Sequence, residues 1–290
     1  MDMGIIDLHT HSTESDGTLS PEALVEHAKE LGLSAIALTD HDTVNGLPKA
    51  RRRAKELGIE LVPGIELSTD YEGMEVHILG YYMDETEPAF LTKLQEFVDG
   101  RERRNDQMME LLQKEGFAIT MEDLRRENPD SVITRAHISR YLVEHGFVKD
   151  KATVFQVYLG DGRRCYVPRE KITPFEAIRL IQLGGGLAFF AHPVLCHMED
   201  GRLRSFVQSL KEAGLAGIEA MYSLNRPEDE AYLKRLAEEY GLLVSGGSDF
   251  HGENKPDIQL GTGKSNLSIP YQYLAQIKES AAKITPVIPG

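Results

Sequence analysis

The sequence is short of several features, and each absence removes a class of protein. It has two cysteines in 290 residues, Cys165 and Cys196, whose separation suits neither a thiolate metal site nor a redox pair; a reduced, structural role is expected for both. No apolar run approaches the roughly 20 residues that a bilayer span requires. The amino terminus, Met1-Asp2-Met3-Gly4, passes straight into an apolar strand with no basic and apolar leader, so the expected location is the cytoplasm. Positive charge is scarce as well: Lys and Arg total 32 against 46 Asp and Glu, a formal charge of −14. That balance excludes broad electrostatic binding to long nucleic acid. An anionic substrate would have to be drawn by bound cations and a few arginines. No short repeat stands out, and nothing marks an obligate protein partner.

What is present is a chain with 41% hydrophobic and 27% charged residues, enough to build one large domain, or one domain with an insertion. The first hundred residues alternate short apolar strands, expected at 4–10, 34–39, 59–65 and 75–82, with amphipathic helices at 21–31 and 46–57. Ser20-Pro21-Glu22 places a capping residue before a proline at the first helical position, a strong helix start. A long charged helical pattern follows over 86–115, and then short helical signals at 121–126, 134–144 and 152–159. The strand and helix alternation returns with strands at 186–191, 216–221 and 242–247. The fold expected is an α/β, distorted (β/α)7 TIM-like barrel of about seven parallel strands. Its residues would be 1–99 and 168–290, with 100–167 as a helical insertion that caps the substrate. An open doubly wound sheet is the runner-up, but it would gather its site at one switch point rather than around a ring.

The residues at the strand ends carry the chemistry. Asp7-Leu8-His9-Thr10-His11 puts Asp7, His9 and His11 on one face of an extended strand, because alternate side chains share a face. Later apolar runs end in Thr39-Asp40-His41-Asp42, Gly64-Ile65-Glu66, Val76-His77, Ala191-His192-Pro193 and Ser248-Asp249-Phe250-His251. A lone histidine or acid at a strand end is commonplace; the ordered set points to metal. Glu66 can bridge two cations through its two oxygens while neutral imidazoles complete each shell. Cations held roughly 3.5 to 4 Å apart can generate hydroxide near neutral pH and clamp both oxygens of an in-line displacement, chemistry suited to phosphate esters. Asp7, Asp40 and Asp42 read as orienting or capping residues. His27, His145 and His197 read as ordinary polar residues, and Met108, Met109, Leu111 and Leu112 as helix packing.

This ordered set resembles the polymerase and histidinol phosphatase (PHP) family of metal-dependent phosphoesterases. Carried over position by position, the resemblance implies three metal sites: His9, His11, Glu66 and Asp249; Glu66 with His77 and His192; and Asp16, His41 and His251. It implies two or three divalent cations, Mn²⁺ first, with Fe²⁺ or Zn²⁺ also compatible with histidine and carboxylate donors free of thiolate. Glu66, His192, Asp249 and His251 would carry the catalysis. Many family members have histidine where this chain has Asp16, whose oxygen suits a harder cation.

In the insertion, Thr134 reads as a helix cap, setting Arg135 and His137 on a first turn where backbone N–H groups and the helix dipole favour an anion. With Leu142-Val143, Gly146 and Tyr158-Leu159, this segment is similar to the insertion of the nucleotide-acting bacterial PHP subgroup of 3′,5′-nucleotide bisphosphate phosphatases and 5′-to-3′ exoribonucleases. The resemblance implies a small phosphorylated nucleotide or a short 5′-phosphorylated RNA as substrate, with Arg135 and His137 binding it. The alternatives are a histidinol-phosphate phosphatase, an amide hydrolase on a similar barrel, and a non-catalytic metal-binding module, which should lack ligands that this chain retains.

Overall fold

The computed structural model describes residues 4–129, 131–167 and 172–284. Residues 168–171, where the return to the barrel was expected, and most of the Lys283–Gly290 tail, expected to fray, therefore lie outside the described residues.

In chain order the elements are β1 (Ile5–Asp7), α1 (Pro21–Glu30), β2 (Ala35–Leu38), α2 (Leu47–Leu57), β3 (Glu60–Tyr71), β4 (Met74–Tyr81) and α3 (Pro88–Lys114). There follow α4 (Met121–Glu127), α5 (Arg135–Glu144), α6 (Lys151–Val154), α7 (Pro174–Leu183), β5 (Leu187–Phe190), α8 (Asp200–Glu212), β6 (Gly217–Tyr222), α9 (Pro227–Glu239), β7 (Leu243–Gly247), β8 (Ile269–Pro270) and α10 (Gln272–Ala281). The helix starts follow local chemistry. Ser20 caps α1 through its side chain with Pro21 behind it, and Thr173 closes a reciprocal capping box with Glu176 ahead of Pro174.

The strands form an eight-stranded sheet in the order β7-β6-β5-β4-β3-β2-β1-β8. The chain past β1 then turns the sheet back on itself. Leu8 N donates to Gly246 O at 3.1 Å, Asp249 N to His9 O at 2.8 Å and His11 N to Phe250 O at 3.0 Å. The first strand so meets the seventh and nearly closes a barrel. Gly247 permits that approach: a Cβ there would stand 2.2 Å from His9 Cβ. Ile6, Leu8, Ala37, Val62, Leu79 and Phe189 belong to one buried apolar cluster.

One expectation fails. The strands are not all parallel: β4 runs antiparallel to both β3 and β5. No crossover helix joins β3 to β4, because the chain reverses at Glu72-Gly73 (φ 53° and 82°), a left-handed pair that turns a hairpin directly. The short β8 and the helix α10 were not anticipated either; a two-residue strand leaves no periodicity to read.

The chain divides into two compact units, Met1–Leu94 with Ile172–Gly290, and Gln95–Lys171. The first holds the barrel. The second is helical, with its own buried cluster that includes Met108, Met109, Leu112, Leu124, Ile138, Leu142, Val154 and Leu159. Among the described residues no helix is long and apolar enough to cross a membrane.

Candidate metal centre

Glu66 sits midway along β3, buried, and its two carboxylate oxygens face different partners. Oε1 lies 2.8 Å from His77 Nδ1 and 3.0 Å from His192 Nε2. Oε2 lies 3.2 Å from both His9 Nε2 and His11 Nε2, and 3.3 Å from His41 Nδ1. The backbone sets this up: Asp42 N donates to Glu66 O and Glu66 N to Asp40 O, which lays the continuation of β2, with His41 in it, alongside β3. His77 pairs in register with Ser68. It therefore lies in the amino-terminal half of β4 rather than at a carboxyl end, and reaches the cluster because that strand runs backwards.

Asp249 Oδ1 stands 3.3 Å from His11 Nε2, 3.6 Å from His9 Nε2 and 3.3 Å from His251 Nδ1. Asp16 Oδ1 is 3.2 Å from His251 Nε2, 3.9 Å from His11 Nδ1 and 4.0 Å from His41 Nε2. Three groups result, within each of which the donor atoms lie within 4.8 Å of one another: His9, His11, Glu66 and Asp249; His11, Asp16, His41 and His251; and His41, Glu66 and His77. His192 joins through Glu66. Every residue expected to bind metal is thus gathered in one cluster.

The donor set fits divalent cations. His9 Nε2, both nitrogens of His11 and His41 Nδ1 are buried without a hydrogen-bond partner, a costly condition for polar atoms unless a cation completes them. Nδ1 of His9 lies 2.9 Å from Glu219 Oε1, so a neutral His9 keeps its proton there and leaves Nε2, which faces Glu66 and Asp249, as the donor to a cation. Burial works to lower the pKa of His9, but the charges of Glu219, Glu66 and Asp249 carry it well above the ordinary value. The same contest lifts His11 to about 9, through Asp249 and Glu66, and His77 to about 10, through Glu66. Burial opposes ionisation of Glu66, Asp249 and Asp16 as well, yet their neighbouring imidazoles, and Lys255 at Asp249, hold all three carboxyls well below the usual range. Protons are retained where cations would otherwise balance the acids.

The acids read as orienting residues do orient. Asp7 accepts from Ser248 N and Gly261 N, and Asp40 from Ser12 N and the hydroxyls of Ser12 and Ser15. Asp42 accepts from Ser68 N. Two candidate ligands, His192 (φ 30°) and Asp249 (φ 59°), hold left-handed backbone, a strain of the kind that collects at functional sites. Glu219 Oε2 accepts from His192 N at 2.8 Å, which helps to hold that turn.

In the helical unit, Thr134 Oγ1 accepts from Ala136 N as the cap of α5, and Thr134 N donates to His137 Nδ1 at 3.0 Å. In neutral His137 the ring proton therefore lies on Nε2. Arg135 Nη1 donates to Asp161 Oδ1 at 3.0 Å and to Leu159 O at 3.3 Å, and the guanidinium carbon lies 5.8 Å from the Tyr166 ring centroid. Its charge is partly spoken for within the unit.

The PHP domain profile matches residues 7–159, more than half of the chain. The chain belongs to the PHP domain family. A 5′-3′ exoribonuclease of Haemophilus influenzae is 39% identical over 245 residues, covering 84% of this chain and 89% of its own. A 3′,5′-nucleoside bisphosphate phosphatase of Chromobacterium violaceum is 36% identical over 260 residues, covering 88% and 91%. The crystal structure of a protein from Bifidobacterium adolescentis described as a metal-dependent phosphoesterase, 30% identical, superposes with a TM-score of 0.83 over 94% of each chain.

Within this PHP barrel three working residues escaped the sequence reading: Glu219, Tyr222 and Lys255. Glu219 had a usable signal, as the lone charge in the otherwise apolar strand Gly217-Ile218-Glu219-Ala220-Met221-Tyr222. Tyr222 and Lys255 had none. A tyrosine at a strand end is ordinary, and Lys255 falls in a loop.

Proposed function

We propose that this chain hydrolyses a phosphate ester of a small nucleotide carrying two phosphates, such as adenosine 3′,5′-bisphosphate, or of a short 5′-phosphorylated oligoribonucleotide. The observation that carries the reading is the division of Glu66 between two sets of imidazoles: Oε1 faces His77 and His192, and Oε2 faces the buried Nε2 atoms of His9 and His11. Such an arrangement is built for more than one divalent cation. Two or three fit the three donor groups; donors without thiolate suit Mn²⁺, Fe²⁺ or Zn²⁺, and the family resemblance puts Mn²⁺ first. Bound cations would neutralise phosphoryl oxygens and acidify water.

The chain's own groups do the rest. Glu66 offers one oxygen to each side, Asp249 offers Oδ1, and Glu219 holds the His9 ring with its Nε2 turned inward. His192 and His251 complete the cluster from opposite sides. Arg135 and His137 are assigned to the substrate's second phosphate, where a guanidinium and an imidazole N–H each suit an anionic oxygen. The exoribonuclease and bisphosphatase names of the two relatives support a nucleotide substrate. Histidinol phosphate offers no second phosphate to hold.

The test is phosphate release from adenosine 3′,5′-bisphosphate, a short 5′-phosphorylated RNA and histidinol phosphate, each with metal-stripped protein reconstituted with Mn²⁺. Release from the first or second is expected. Release from histidinol phosphate alone would overturn the substrate assignment, and no release from any would overturn the enzymatic one.

A further inference from the structure

The two oxygens of Asp249 are treated differently. Oδ1 faces the imidazoles of His9, His11 and His251. Oδ2 is turned away and gripped twice: Tyr222 Oη donates to it at 2.9 Å and Lys255 Nζ at 2.5 Å. The Tyr222 hydroxyl is buried, and the Lys255 side chain is 38% exposed. Lys255 follows a short turn, Gly252–Asn254, whose Asn254 Nδ2 donates to Asp16 O at 2.8 Å. One loop therefore touches two of the cluster's three carboxylate residues, Asp249 by side chain and Asp16 by backbone.

A lysine here is costly to explain as packing. An ammonium with an ordinary pKa near 10.4 is charged at neutral pH, and a positive charge beside a centre that is to hold divalent cations repels them. The tyrosine alone would orient Oδ2. Lys255 adds something orientation does not need: it withdraws charge from the carboxylate while blocking the oxygen that would otherwise allow two-oxygen coordination. A cation so bound is held less tightly and keeps more of its power to polarise.

Resting on the phosphoesterase reading, we propose that Lys255 is a positioning residue of the metal centre. It confines Asp249 to one-oxygen ligation and weakens cation binding in favour of turnover.

The test titrates Mn²⁺ into metal-stripped wild-type, Lys255→Met, Lys255→Arg and Tyr222→Phe proteins by calorimetry, and measures kcat and KM of each for adenosine 3′,5′-bisphosphate. Methionine keeps the length and removes the charge. Lys255→Met is expected to bind Mn²⁺ about ten-fold or more tightly while kcat falls and KM stays near wild type, and Lys255→Arg, which keeps the charge, should stay close to the wild-type affinity. Tyr222→Phe should not tighten binding, since the lysine remains. Weaker Mn²⁺ binding in Lys255→Met would overturn the proposal and leave a supporting role only. So would unchanged affinity with a raised KM, which would make Lys255 a substrate contact. A wild type that binds Mn²⁺ and hydrolyses the nucleotide, beside an unchanged Lys255→Met, would sink this inference and leave the phosphoesterase reading standing. A wild type that binds no Mn²⁺ would end both.

Discussion

At the level of single residues the centre depends on charge placed where burial opposes it. Glu66 shows this most plainly: it stays ionised inside the barrel because imidazoles surround it. Glu66→Gln keeps the shape and deletes the charge that both sides share. Activity is expected to fall by orders of magnitude together with bound metal, and elemental analysis beside a phosphate-release assay checks both. Full metal content with normal turnover would refute the shared-carboxylate account. The histidines give a test in pH. His11 and His77, raised to about 9 and about 10 from an ordinary value near 6.5, stabilise the metal-free fold fully below that ordinary value and lose this contribution as pH rises through the raised values. The melting temperature of chelator-treated protein should therefore decline from neutral pH toward pH 10. Mn²⁺-loaded protein should not show that decline, because cations take over from the protons. Differential scanning fluorimetry across this range reads the difference, and a rising metal-free curve would contradict it.

Among the elements, α5 carries the groups assigned to the substrate's second phosphate. Its cap is set by Thr134 and its first turn by Arg135 and His137, with Arg135 tied to Asp161. A charged donor to phosphate contributes about 1.5 to 3 kcal/mol, so Arg135→Ala should lower kcat/KM for nucleotide substrates by about one to two orders of magnitude. Metal content should be unchanged, and the loss on an aryl phosphate small. Equal loss on both would move Arg135 to the scissile phosphate; no loss would leave it a structural partner of Asp161. The elements also show what a sequence discloses. The helices α1 and α5 were legible because Ser20-Pro21 and Thr134 mark their starts, and most metal ligands because they follow apolar runs; Asp16, in a loop, was reached only through the family resemblance. The hairpin of β3 and β4 was not: Glu72-Gly73 is a two-residue reversal, and its apolar flanks read equally well as parallel strands. Lys255 was hidden for a related reason, since loop residues owe their placement to contacts far away in sequence.

For the whole molecule the decisive contact is that of β1 with β7. Gly247 makes it possible, and Gly247→Ala would drive a methyl group to 2.2 Å from His9 Cβ and 2.4 Å from His9 N. The seam must then open. A loss of about 1 to 3 kcal/mol is expected from the forced shift, seen as a lower melting temperature. Weaker Mn²⁺ binding in calorimetry should accompany it, because His9 moves with the seam; a variant that melts and binds like the wild type would show the seam to be loose. The same seam divides the ligands between the two ends of the chain. His41, Glu66 and His77 belong to the segment after β2, to β3 and to β4, whereas Asp249 and His251 follow β7 and meet His9 and His11 where the barrel closes. The group of His9, His11, Glu66 and Asp249 is thus complete only in the closed barrel. A polypeptide cut short before β7 would keep β1 to β6 with unpaired sheet edges and would lack both Asp249 and His251.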